Sequence, residues 1–467
     1  MKKYIVFSLF WMVSFVSAQI NDTIILNFKE YLGYVKKYHP IAKQAELSIG
    51  IGQANLMKAR GGFDPKIEVD YSNKVFKNTD YYDLLNATFK IPTWYGIELK
   101  ANYENNSGDY LNPQNTVPDD GLFSMGVSVS VLQGLLINDR MASLKRAKIF
   151  REQSLAERDL LVNQVIYDAS LAYFDWVQTF NEVKIYTHFL KNAQFRFEGI
   201  KQSAFAGDKA SIDTLEAKII VNSRALSLEQ SKIELLKASL ALSNFLWLEN
   251  NIPIELQENV IPDVFIGKEI DSVLDISGQP LSEFTIENHP KLRSLNYKIE
   301  SLEVDKRLKA NKLLPKVDLQ YNFLSETPDY LNSYTNDSYK SSINVLFPLF
   351  LRKERGDLKL AKFKLQDAQF ELDNTQVAIK NKVLSIYKEL ESFDSQLLLI
   401  QNIVTDYNSL LKAEERKFNF GESSLFLINS REKSFIEAKL KENSLQNKYY
   451  VVKAKLFNSL STNPINL

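Results

Sequence analysis

The sequence predicts an α+β membrane protein built from a helix–strands–helix–helix unit that is written twice. Three observations predict it. Residue identities recur at fixed offsets along the 467-residue chain. Two long proline-free stretches carry apolar residues alternately three and four positions apart. Between the helical regions, short segments alternate between apolar and polar residues.

The duplication is read from pairs. His39-Pro40 recurs 250 positions on as His289-Pro290, and Pro65-Lys66 and Tyr71 recur at the same offset as Pro315-Lys316 and Tyr321. Further along the offset is 214: Val131 pairs with Val345, Leu144-Lys145 with Leu358-Lys359, Ala147-Lys148 with Ala361-Lys362, and Gly207 with Gly421. The first half therefore carries 36 extra residues between Tyr71 and Val131. A period of this length is too long for a solenoid and marks a duplicated domain-sized unit.

Composition narrows the function classes. Lys+Arg and Asp+Glu both number 57, a balance that argues against nucleic acid as a partner. Cysteine is absent and His occurs three times, which excludes a disulfide scaffold and a thiolate site and argues against a histidine metal centre. The sequence holds no Walker loop, Gly-x-Ser-x-Gly, HExxH or dinucleotide fingerprint. No catalytic residue, cofactor or metal is expected.

Residues 1–18 read as a cleaved export signal: Lys2 and Lys3, a mostly apolar stretch over 4–13, then Val16-Ser17-Ala18. No window reaches about 18 uninterrupted apolar residues, so membrane entry would need a closed β-barrel. Residues 19–61 predict a first short helix, opened by Asn27 three residues before Glu30 and running to about Arg60. Residues 62–138 are the first strand region. Here Ile67, Val69, Tyr71 and Val75 alternate with Glu68, Asp70, Ser72 and Lys74. Segments 85–91, 95–103 and 125–131 alternate in the same way, the first two within the insertion. Phe76, Trp94, Tyr95, Phe123 and Phe347 stand near strand ends, where interfacial aromatic girdles would sit.

Residues 139–250 predict a long helical hairpin. An apolar seam from Val162 to Ala204 holds a 3.5-residue period, the signature of left-handed supercoiling. A helix from Arg140 to Ala206 would be about 100 Å long. Residues 251–280, with three prolines, form the linker. The second copy follows: a short helix over 281–313, strands over 314–352 with segments 317–323 and 343–347, and a second long hairpin over 353–467. Gly207 and Gly421 mark the two reversals. The pair Glu414-Glu415 reads as a solvated helix face.

Alternation alone fits a barrel wall and a half-buried soluble sheet equally. The export signal and the rods favour the barrel. Four to six strands cannot close one, since single-chain outer-membrane barrels need at least about eight. Several copies must pool their strands.

These residues resemble the TolC-type outer membrane efflux protein family. The likeness rests on the duplicated order and the glycine reversals. It rests also on segment 28–47 with Tyr38-His39-Pro40, and segment 284–295 with Asn288-His289-Pro290-Lys291-Leu292-Arg293. It implies a homotrimer with a shared outer-membrane β-barrel, continued by a long coiled-coil α-helical barrel across the periplasm. Outer membrane lipids would surround the wall. The tip, at Gly207, Asp208, Gly421 and Glu422, would dock a periplasmic adaptor (membrane fusion) protein bound to an inner-membrane pump of RND or ABC type. The implied function is a passive exit duct. Asp213, Asp70 and Asp318 are the acidic candidates for gate or lumen; Asp208, Asp213 and Glu422 also suit helix starts simply through the helix dipole. Two departures stand out. Leu427 and Ser423 occupy second-copy positions where the family often has an acid and a base. The family's usual count is four strands per chain, against six here, so either a trimer closes with eighteen strands or the extra pair lies outside the wall. A periplasmic coiled-coil adaptor without a pore would explain the signal and heptads, but not six amphipathic strands.

Overall fold

The computed structural model describes residues 23–276, 286–327 and 333–463. The expected leader over 1–18, and Ser282 and Phe284 at the start of the second short helix, lie outside the described residues.

Strand β1 (Ile24–Leu26) leads into α1 (Phe28–Tyr38) and α2 (Pro40–Arg60). The single short helix expected from Asn27 to Arg60 is thus two. Proline disfavours helical geometry in the residue before it, and His39 is extended at φ −63°, ψ 133°. Both helices are capped at their starts by side chains. Asn27 accepts from the Glu30 amide at 2.7 Å, and His39 Nδ1 accepts from the Ile41 amide at 3.3 Å.

Four strands follow: β2 (Lys66–Phe76), β3 (Thr79–Pro92), β4 (Ile97–Ser107) and β5 (Leu122–Ser130). Then come α3 (Asp139–Phe205) and α4 (Ser211–Ser243). The segment read as a linker is partly ordered. It holds β6 (Trp247–Leu248), β7 (Ile252–Pro253), β8 (Val260–Pro262) and the single turn α5 (Ile270–Val273). Its apolar side chains explain this, because Ile266, Ile270, Val273 and Leu274 are buried. The second copy supplies α6 (Pro290–Asn311), β9 (Lys316–Ser325), β10 (Tyr339–Leu346), α7 (Arg352–Asn419) and α8 (Leu425–Leu460). His289 caps α6 as His39 caps α2, its Nδ1 accepting from the Lys291 amide at 3.1 Å.

All six long strands form one antiparallel sheet in the order β10-β9-β5-β4-β3-β2. The inserted pair, β3 and β4, sits inside this sheet and not beside it. The sheet does not close, and β2 and β10 are its free edges.

The helices lie four abreast. Near the sheet the lateral order is α2, α3, α6, α7; farther away it is α4, α3, α8, α7. The rods α3 and α7 span 67 and 68 residues, about 100 Å each. The main core lies midway along them. Phe28 and Tyr31 of α1 pack on Tyr173, Phe174 and Trp176 of α3, with Leu242 and Phe457. Tyr173 donates to the Leu26 carbonyl at 2.6 Å and fastens β1 to the rod. Among the described residues no helix is long and apolar enough to cross a membrane.

Candidate functional site

The register sorts the sheet into two faces, because directly opposed residues of antiparallel strands point the same way. One face carries Ile67 opposite Phe89, Leu99 opposite Val127, Val129 opposite Leu319, and Leu319 opposite Ile343. The other carries Asp70 opposite Asn86, Glu98 opposite Ser128, and Asp318 between Ser130 and Asn344. The apolar face is uncovered: Ile67 is 75% and Ile343 73% exposed. A water-soluble sheet would not leave such a face bare.

Asp70 and Asp318 both lie on the polar face, in different settings. Asp70 is exposed on edge strand β2. Asp318 accepts from the Ser130 hydroxyl at 2.6 Å and pairs with Lys316 at 3.1 Å. The polar face also pairs Lys90 with Glu68, and Arg140 with Glu98 at 2.7 Å. Its charges are of mixed sign, so it has no strong acidic bias. At the inner end of the sheet this face opens a polar cavity of about 500 Å³ reaching from Lys100 to Asn311. Aromatic side chains stand at both strand ends. Trp94 stacks on Phe63 at the helix side (5.6 Å), and Phe123 meets Tyr103 (4.7 Å) and Tyr321 meets Tyr339 (5.3 Å) at the far side.

The far ends of the rods carry Gly207, Asp208, Gly421 and Glu422. Both reversals have the same construction. Gly207 (φ +88°) and Gly421 (φ +78°) take the left-handed conformation. Asp208 donates its amide to the Ser203 carbonyl at 2.9 Å, and Glu422 to that of Lys417 at 2.9 Å. These six-to-one bonds satisfy carbonyls that the ending helix leaves unpaired. Asp213 follows in the first turn of α4. Asp208, Asp213 and Glu422 make no ion pair among the described residues. They share the tip with exposed Phe205, Phe420 and Phe426.

Sequence reasoning missed a buried ionic network just behind the tip. Glu432 of α8 is 1% exposed and meets Arg196 of α3 at 3.0 Å and Arg224 of α4 at 3.8 Å. Asn429 accepts from Arg196 at 3.4 Å and donates to Glu216 of α4 at 3.0 Å. Of the pair read as a solvated face, Glu415 of α7 reaches this network while staying half exposed, and Glu414 is buried beside it. Glu415 meets Arg196 at 3.6 Å, while buried Glu414 takes the Ser423 hydroxyl at 2.6 Å and faces Arg431 at 3.7 Å. One signal was present in the sequence. In the seam that runs from 376 to 418 only Gln376 and Glu414 are polar, and a charge on a buried stripe needs a partner.

The described residues hold no cluster of His, Cys, Asp and Glu fit to bind a metal. Two exposed apolar stripes run along the rods: Ile212, Ile219, Leu226, Ile233 and Leu240 on α4, and Phe363, Phe370, Val377 and Leu384 on α7. Both repeat mainly at seven-residue spacing, the pattern of helices that expect a neighbour.

A single-chain sheet with one bare apolar face stands on rods that outrun any globular core, and solved outer-membrane channels share this architecture. Residues 281–461 match the family model "Outer membrane efflux protein". The fold is similar to the CmeC outer membrane channel of Campylobacter jejuni (14% identity, TM-score 0.64, 93% of this chain and 85% of that one). It is similar also to the open state of the Neisseria gonorrhoeae MtrE channel (14%, 0.66, 94% and 89%) and to VceC of Vibrio cholerae (11%, 0.65, 94% and 96%). No curated sequence matches the chain. The likeness in sequence covers residues 281–461 alone, and the likeness in fold to outer membrane channels covers nearly the whole chain.

Proposed function

We propose that three copies form the passive exit duct of a tripartite efflux or secretion system, with an eighteen-stranded barrel above a periplasmic helical tunnel. One observation carries this reading: a six-stranded sheet, polar on one face and apolar on the other, with both edges free. Because strands alternate in direction and their number is even, β10 of one copy meets β2 of the next antiparallel, as an outer-membrane barrel requires. The unpaired stripes on α4 and α7 then seal neighbouring copies along the tunnel. Conduction needs only the polar bore. The tip residues Gly207, Asp208, Gly421 and Glu422 are the docking place for a periplasmic adaptor that links the duct to an inner-membrane pump. Asp208, Asp213 and Glu422, repeated threefold, put negative charge around the mouth and favour cations.

The natural absence of cysteine makes the test clean. Single cysteines at Glu68, Asp70 or Ser72 on β2 are combined with Asn344→Cys on β10 and oxidised in the membrane. At least one pair should yield a covalent trimer that conducts in planar bilayers, and Asp213→Asn should lower its cation preference. Failure of every edge pair to cross-link defeats the shared barrel; unchanged selectivity defeats the acidic mouth alone.

A further inference from the structure

The chain is neutral as a whole, yet its charge is unevenly placed. The last thirteen residues of α2 and the first thirteen of α3 and of α7 lie next to the sheet. Together they hold thirteen Lys and Arg against three Asp and Glu. Some of these bases are paired inward, such as Arg140 with Glu98 and Arg146 with Asp305. Most are not. Lys145 and Lys148 on α3, and Arg352, Lys353, Arg355 and Lys362 on α7, are exposed and make no ion pair among the described residues. The matching end of α6 is balanced, with Glu300, Glu303 and Asp305 against Lys306, Arg307 and Lys309. The excess thus belongs to α2, α3 and α7.

A second observation lies beside it. Both links from strand to rod are apolar and uncovered. Leu136 is 77%, Leu349 85% and Phe350 71% exposed. The Arg352 guanidinium lies 5.2 Å from the Phe350 ring centre, and Leu351 between them is held at φ +48°. Each link therefore presents apolar side chains on the sheet side and cations immediately on the helix side. This is the order of an interfacial segment, whose apolar part enters the acyl boundary while its bases meet headgroups.

We propose that this basic collar binds anionic phospholipid headgroups of the periplasmic-facing leaflet and sets the depth at which the barrel sits. The inference rests on the barrel reading, which places the apolar face of the sheet in lipid. The collar begins where that face ends, and like-charged residues clustered at such a boundary are stabilised by an anionic surface. Without one they repel each other.

The test uses the full trimer in detergent, titrated with phosphatidylglycerol or with phosphatidylethanolamine. Bound lipid is counted by native mass spectrometry, and conductance is recorded from the same preparation. The wild type should retain phosphatidylglycerol over phosphatidylethanolamine, with a preference that weakens as salt rises. The variant Arg352→Gln/Lys353→Gln/Arg355→Gln should lose that preference by about tenfold. Lys412→Gln/Arg416→Gln/Lys417→Gln, which removes the same charge at the far end of α7, should keep it. Equal retention of both lipids by the wild type, or equal loss in the two variants, overturns the proposal. So does sedimentation with peptidoglycan that the collar variant loses while lipid preference is absent. Wild-type channels that conduct but show no lipid preference sink the collar alone; absence of channels in the wild type sinks the barrel.

Discussion

At the scale of single residues, the two His-Pro pairs show how one short motif does local work twice. Proline fixes the start of α2 and of α6, and the preceding imidazole accepts from the second amide beyond it. His289 is the more enclosed. Burial drives its pKa down to about 4, opposed by a hydrogen bond with the Ser459 backbone and reinforced by Lys382. Its Nδ1 accepts from the backbone, so the neutral ring carries its proton on Nε2, which lies 3.1 Å from the Ser461 hydroxyl. The folded state resists protonation and the unfolded chain does not. The stability this gives is present above about pH 6.5 and is lost as the pH falls toward 4, on the order of 3 kcal/mol in all. His289→Asn keeps an acceptor at the cap and removes the titration. Its thermal midpoint should vary less between pH 7 and 4.5 than that of the wild type; identical profiles would refute this. The motif was legible in the sequence as a repeat. Its capping role was not, since proline within a helical pattern marks a break without saying which side chain closes it.

At the scale of elements, the rods were legible and the clasp between them was not. Apolar residues every three or four positions disclose a packed seam, and Val383, Phe393, Ile400 and Val404 of α7 are buried as that period requires. Arg196 and Glu432 lie 236 positions apart and break no pattern of their own. Only the close approach of α3 to α8 joins them. Removing one partner of a buried ion pair costs about 3–5 kcal/mol, because the other is left uncompensated. Glu432→Ala should therefore loosen the second hairpin from the first near the tip. Two results are expected: faster proteolysis around Gly421, and more frequent opening of channels in bilayers. Arg196→Met/Glu432→Leu should restore the resistance by replacing the pair with apolar volume. Proteolysis as slow in Glu432→Ala as in the wild type would show that the clasp does not hold the tip. Strands were easier to read than this network, because alternation is local. Where β3 and β4 would go was undetermined, since their own residues say nothing about their neighbours.

At the scale of the whole molecule, the width of the barrel in the proposed trimer follows from six strands per chain. With strands about 4.8 Å apart and tilted about 40°, eighteen of them enclose a backbone cylinder roughly 36 Å across. Side chains reduce the clear bore to roughly 24 Å, whereas twelve strands would leave about half of that. A neutral polymer of about 10 Å radius, added on the loop side, should enter the mouth and lower the current. A current unaffected by that polymer would mean a narrower wall.

The six strands of one chain stand above four helices abreast. Tilted, six strands cover about 37 Å of perimeter, and four helices at 9–10 Å spacing cover 36–40 Å. In the proposed trimer, wall and shaft thus share one gauge and join flush, with no shoulder where they meet. A hydrated solute climbing the shaft of the proposed trimer would meet no second narrowing on its way out, and sieving by size would fall entirely to the end remote from the cell surface.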